Sequence, residues 1–128
     1  MLFRSVADLK YAVIEESALT AGTTQDLTST GHGTPVGAIF LGGGGTAAGT
    51  AADNHRHFVG YTDGTRHRVY SAIDEDNQAS TDSWHRGATD EVCMWLDADG
   101  AVNGEANFDS WITDGVRINY GEIGRAHV

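Results

Sequence analysis

Apolar and polar residues alternate along much of this chain, with the two-residue period of strands that a core covers on one side. In residues 101–108, Val102, Ala106 and Phe108 share one face with Gly104, while Asn103, Glu105 and Asn107 take the wet face. Val116, Ile118 and Tyr120 alternate in the same way with Arg117 and Asn119. Three Asp-Gly pairs punctuate this half of the chain: Asp63-Gly64, Asp99-Gly100 and Asp114-Gly115. Asp-Gly between runs of high strand preference marks a hairpin, because glycine takes the positive φ of a tight reversal and aspartate tolerates the left-handed region. The pairs predict hairpins joining residues 55–61 to 65–73, 91–96 to 101–108, and 111–112 to 116–120.

The rest of the pattern is less regular. Residues 6–14 could form a helical turn or a strand, with the alternation weakly favouring a strand, and Thr-rich residues 20–30, with Gln25, Leu27 and Ser29 alternating, suit an outer strand. Val36-Gly37-Ala38-Ile39-Phe40-Leu41 is continuously apolar, which predicts a central strand covered on both faces. Residues 42–54 read as a long loop whose four consecutive glycines lack the Lys-Ser/Thr of a phosphate-binding loop. Residues 74–89 read as an exposed acidic excursion interrupted by Trp84. About eight strands without a helix predict an all-β fold, an antiparallel two-sheet β-sandwich of jelly-roll type, with a closed barrel as the alternative. Ile39, Phe40, Val92, Met94, Leu96, Phe108 and Ile118 are the expected core, and the last strand is expected to leave an exposed edge.

Composition narrows the function. The 128 residues suffice for one domain, and 18 acidic residues against 8 basic ones leave a net charge of −10. Such a balance speaks against nucleic acid and against anionic membrane surfaces, since both need a basic footprint. No apolar run is long enough for a membrane helix, so membrane insertion is not expected. A single cysteine, Cys93, sits in an apolar run and is expected to be a small buried residue.

Both ends read as foreign to the fold. Leu2-Phe3-Arg4-Ser5 and Ile123-Gly124-Arg125-Ala126-His127-Val128 are what the two strands of a common short-read sequencing adapter encode. The expected domain is therefore residues 6–122, a piece of a longer reading frame, with 1–5 and 123–128 excluded and Phe3 and Ile123 kept out of the core.

The motif order from Gly33 onward resembles a module of uncharacterised bacteriophage and environmental viral proteins. The resemblance rests on Gly33-Thr34-Pro35 before Val36-Gly37-Ala38-Ile39-Phe40, then Gly60-Tyr61-Thr62-Asp63-Gly64-Thr65 and Arg86-Gly87-Ala88-Thr89-Asp90-Glu91. Gly104-Glu105-Ala106-Asn107-Phe108 and Thr113-Asp114-Gly115-Val116-Arg117-Ile118-Asn119-Tyr120 complete it, so that it covers roughly residues 20–121. It implies a virion structural or tail-associated protein made in the host cytoplasm, often with the module repeated, and an adhesive or assembly role without a catalytic motif. Expected partners are further copies of the chain, other virion proteins or a cell-surface glycan. The chain departs from the resemblance in stopping where further strands are expected after Tyr120.

Candidate chemistry is sparse. His55 and His57 flank Arg56, so a strand would aim both to one side as a Zn²⁺ pair, which His67 or His85 could complete only through tertiary contact. Arg56, Arg66, Arg68 and Arg86 count against a cation there, and solvated histidines are the expected state. The acidic runs at Asp74-Glu75-Asp76-Asn77 and Asp97-Ala98-Asp99-Gly100 could each offer oxygen ligands to Ca²⁺. The second resembles part of an EF-hand loop but lacks its spaced ligands and flanking helices, and solvated turns are the expected state of both. No Gly-x-Ser-x-Gly is present, and paired carboxylates among eighteen acids are uninformative, so no catalytic residue, metal or cofactor is expected. The candidate ligand site is Trp84, His85, Arg86, Asp76 and Asn77, an aromatic ring among polar groups that suits a sugar; the competing expectation is that Trp84 folds back as a lid on the sandwich. A lectin-like domain and, third, a glycan hydrolase are the rival functions.

Overall fold

The computed structural model describes residues 10–43, 55–75, 79–80 and 82–121. Eight strands form two four-stranded antiparallel sheets packed face to face, a β-sandwich. They are β1 (Thr24–Thr28), β2 (Ala38–Gly43), β3 (His55–Thr62), β4 (His67–Glu75), β5 (Asp82–Ala88), β6 (Glu91–Leu96), β7 (Val102–Ile112) and β8 (Gly115–Tyr120). One sheet runs β2-β3-β4-β5, a plain meander; the other runs β1-β8-β7-β6. This order is simpler than the two Greek keys of a jelly roll, because each sheet is built from chain neighbours and only β1 joins from a distance.

The alternation read from the sequence sets the inward face of β3, β4 and β8, whereas in β6 Val92, Cys93 and Met94 are buried in succession across a register shift. Phe40, Phe58, Val69 and Ile73 from one sheet meet Val92, Cys93, Met94, Leu96, Ala106, Val116, Ile118 and Tyr120 from the other. Phe108 is only half-buried, at the margin, stacked on His67 and edge-on to Trp111. The two buried polar side chains, Thr62 and Ser71, bond to His67 Nδ1 (2.8 Å) and to the His57 carbonyl (3.3 Å). No buried side-chain nitrogen or oxygen lacks a partner among the described residues.

Where the two sheets come closest, β6 lies against β3 and β4. A Cβ on Gly60 would stand 1.7 Å from the carbonyl oxygen of Val92, so this approach requires glycine. Gly115 has a similar role: a Cβ there would meet the Leu27 carbonyl oxygen at 2.0 Å, which lets β1 sit beside β8. The turn before it takes its positive φ at Asp114 (64°), not at Gly115. Gly64 and Gly100, by contrast, supply the positive φ of their hairpins. Asp114 Oδ1 accepts from Gly33 N (2.7 Å), and the Asp114 carbonyl accepts from Ser29 N (2.8 Å), latching the loop after β1 to this turn.

Several expectations change. Residues 10–14 form no strand, and residues 6–9 lie outside the described residues. Residues 82–88, expected within an exposed excursion, are the edge strand β5; backbone pairing to β4 does not need apolar side chains. The run at 36–41 is not a doubly covered central strand: β2 is an edge strand whose outer residues Ile39 and Leu41 face solvent. Trp111 and Ile112 continue β7 through an irregularity between Phe108 and Ser110. The last strand is not an edge, since β8 pairs with β7 on one side and β1 on the other. Phe3 and Ile123 lie outside the described residues.

Candidate functional site

The inner positions of β2, β3 and β4 consume the residues that the core needs, and apolar residues remain on the outside of the same sheet. Pairing aligns them in rows. Ile39, Tyr61 and Arg68 form one; Leu41, Val59, Tyr70 and Gly87 form the next; Gly43, His57, Ala72 and His85 form the third. Ile39 and Leu41 are 75% exposed, Val59 48%, Tyr61 45% and Tyr70 49%. The ring of His85 stacks on Tyr70 at 6.1 Å between centroids.

These three rows carry Arg68, His57 and His85 but no carboxylate, in a chain of net charge −10. Among the described residues Asp74 lies beyond one end of the rows and Asp63 in the hairpin at the other, and Glu15 and Glu16 line the same cavity as Ile39, Leu41 and Tyr61. Asp63 is held by backbone donors, Arg66 N (2.7 Å) and Thr65 N (2.9 Å), and these bonds keep its carboxyl below the usual range.

The opposite sheet is different in kind. Its outer positions include Asp26, Asn107, Glu91, Glu105 and Asn119. Asp26 accepts two bonds from Arg117 (2.6 and 2.8 Å), which lower its pKa. Burial, reinforced by the nearby charge of Glu91, raises that of Glu105.

The residues singled out from the sequence do not converge on one side of β5. Trp84 pairs opposite buried Ile73 and Arg86 opposite buried Ser71, so both lie on the inward-facing side of this edge strand. A Cβ on Gly100 would be 2.6 Å from Trp84 Cγ, which puts the indole over the β6–β7 turn, although the residue stays 45% exposed. His85 points the other way, to Tyr70. Asp76 and Asn77 lie outside the described residues.

The histidines are similarly dispersed. His55 Nε2 and His57 Nδ1 are 3.1 Å apart, whereas His67 faces inward against Thr62 and Phe108. Among the described residues no group of three His, Cys, Asp or Glu side chains could hold a metal ion. Asp97 uses its carboxylate on its own turn, accepting from Asp99 N (3.0 Å) and Ala101 N (2.9 Å). Cys93 is buried, and desolvation pushes its thiol up to about 12.

Reasoning from the sequence missed Leu41, Val59, Tyr61 and Tyr70 as surface residues. The available signal was that residues 36–41 are apolar at both parities, and that Val59, Tyr61 and Tyr70 fall at parities opposite to Phe58 and Val69. The fold and this face together define an all-β sandwich with one acidic and one apolar, aromatic outer surface. No protein-family model, no curated protein and no solved structure matches the chain.

Proposed function

We propose that this chain is a non-enzymatic structural or adhesion module of a bacteriophage virion, tail-associated or receptor-binding, that works through the outer face of the β2-β3-β4-β5 sheet. The observation that supports this reading is the contiguous exposure of Ile39, Leu41, Val59, Tyr61 and Tyr70. Their exposed area comes to about 600 Å², the upper end of the largest patch that a monomer ordinarily shows, and patches of that size mark interaction sites. A broad face of this kind suits docking of another surface, and the motif order described above supports the virion context. The partners are further copies, other virion proteins or a host surface.

A second reading, a stand-alone carbohydrate-binding domain, is favoured by one observation: the Tyr70–His85 stack presents aromatic planes on the exposed face. Sugar rings lay their apolar faces on such planes. Sedimentation velocity and a glycan array on the same preparation separate the two. A defined oligomer without ligand supports the structural module; a monomer that binds one glycan class at micromolar affinity or better supports the lectin.

A further inference from the structure

We infer that the outer face of the β2-β3-β4-β5 sheet is the interface of a two-fold symmetric dimer, with a second copy of this chain as its occupant. The inference deepens the assembly reading above and rests on it for biological meaning, but its own basis is area, charge and geometry. With Arg68, His57 and His85 added to the five apolar residues, the face approaches the roughly 800 Å² that each partner contributes to a standard interface.

Charge selects the partner and the face. Two copies at −10 each repel, and they do so least where carboxylates are missing. The three central rows of this face contain none, while Asp26, Glu91 and Glu105 sit on the other sheet. A partner rich in anions would find only Arg68 as a permanent cation within those rows, against five large apolar side chains to desolvate it. A second copy matches apolar surface with apolar surface.

Geometry permits the symmetry. Sheets pack face to face about 10 Å apart with their strands nearly aligned. A two-fold axis through the middle row lays Leu41, Val59 and Tyr70 across their own copies, as an isologous interface requires. Val59, between Leu41 and Tyr70, then lies near the axis.

The test is sedimentation velocity over a concentration series with three proteins: the full chain, Val59→Asp, and Asn119→Lys on the opposite sheet as control. Val59 and Asn119 are both exposed in the single chain, so thermal unfolding at low concentration checks that each variant folds. The expected result is a dimer that Val59→Asp weakens about tenfold or more while Asn119→Lys leaves it intact, since two facing carboxylates would be desolvated near the axis. A trimer, or a dimer indifferent to Val59→Asp, overturns the two-fold interface and leaves the assembly reading standing. A full chain that stays monomeric at high concentration overturns the dimer and leaves other virion proteins or a host surface as the occupants of the face under the assembly reading. A monomer whose glycan-array signal disappears in Val59→Asp overturns the dimer and assigns the face to a sugar.

Discussion

At Gly60 the two sheets approach backbone to backbone, and replacing it with alanine tests the packing directly. The added Cβ would fall 1.7 Å from the Val92 carbonyl oxygen and 2.7 Å from the Val92 carbonyl carbon. To reach even 3.0 Å, the backbones of β3 and β6 must part by at least about 1.3 Å, with no flexible side chain between them to yield. A gap of 0.5–1 Å already forfeits roughly a quarter to a half of a dispersion well. Here it would open beside Val92, Met94 and Phe58, all buried.

Overpacking ordinarily costs about 1–3 kcal/mol, and a backbone-to-backbone clash belongs at or above the top of that range. Restricting the unfolded chain by adding a Cβ returns about 0.4–1 kcal/mol, leaving a net loss of about 2–3 kcal/mol. Gly37→Ala is the matched control, because its Cβ would meet only the Thr62 carbonyl oxygen at an ordinary 3.6 Å. Urea unfolding followed by tryptophan fluorescence gives the readout. With a slope of about 1–3 kcal/mol per molar urea, Gly60→Ala lowers the midpoint by roughly 1–2 M while Gly37→Ala leaves it unchanged or slightly raised. A Gly60→Ala chain already unfolded in buffer is the extreme of the same outcome. Equal midpoints for both variants would refute the close approach of β3 and β6.

Phe40→Ala removes a core ring and is expected to cost about 3–5 kcal/mol, whereas Phe108→Ala, at the half-buried margin, costs less, roughly 2 kcal/mol; the reverse ranking in urea would show that the sheet margins are misassigned. The Cys93 thiol, pushed up to about 12 by burial, stays protonated and shielded at neutral pH. An aromatic disulfide reagent should therefore label it only after unfolding, and prompt labelling of the native protein would contradict its burial. Asp26, Asp63 and Asp114 all have folded-state pKa values below the ordinary one, so the stability they contribute is present at neutral pH and is lost as pH falls through those lowered values. Glu105 runs the other way: its raised pKa penalises the folded state at neutral pH, and protonation relieves that penalty. Glu105→Gln should raise the neutral-pH midpoint and lose its advantage in acid, as a pH series of thermal melts would show; an advantage that persists in acid would exclude the ionisation as its source.

Local physics made much of this fold legible. The hairpins at Asp63-Gly64 and Asp99-Gly100 follow from glycine's access to positive φ, and the inward sets Val116, Ile118 and Tyr120 follow from strict alternation. Both are properties of a few consecutive residues. At Asp114-Gly115 the same dipeptide serves two different needs, a left-handed aspartate and a glycine that admits β1, and the second concerns a strand far away in sequence. Trp84, His85 and Arg86, adjacent in sequence, are divided between two sides of β5 by the pleat, so their adjacency did not amount to a site. Two continuous apolar runs, 36–41 and 92–96, look alike as sequence, yet residues 92–94 and 96 are buried while Ile39 and Leu41 face solvent. Periodicity says that a run is apolar on both faces, but not what will cover them. That was decided by tertiary packing: Gly60 lets β3 close onto β6, whereas the outer face of β2 has no element of the described fold laid over it.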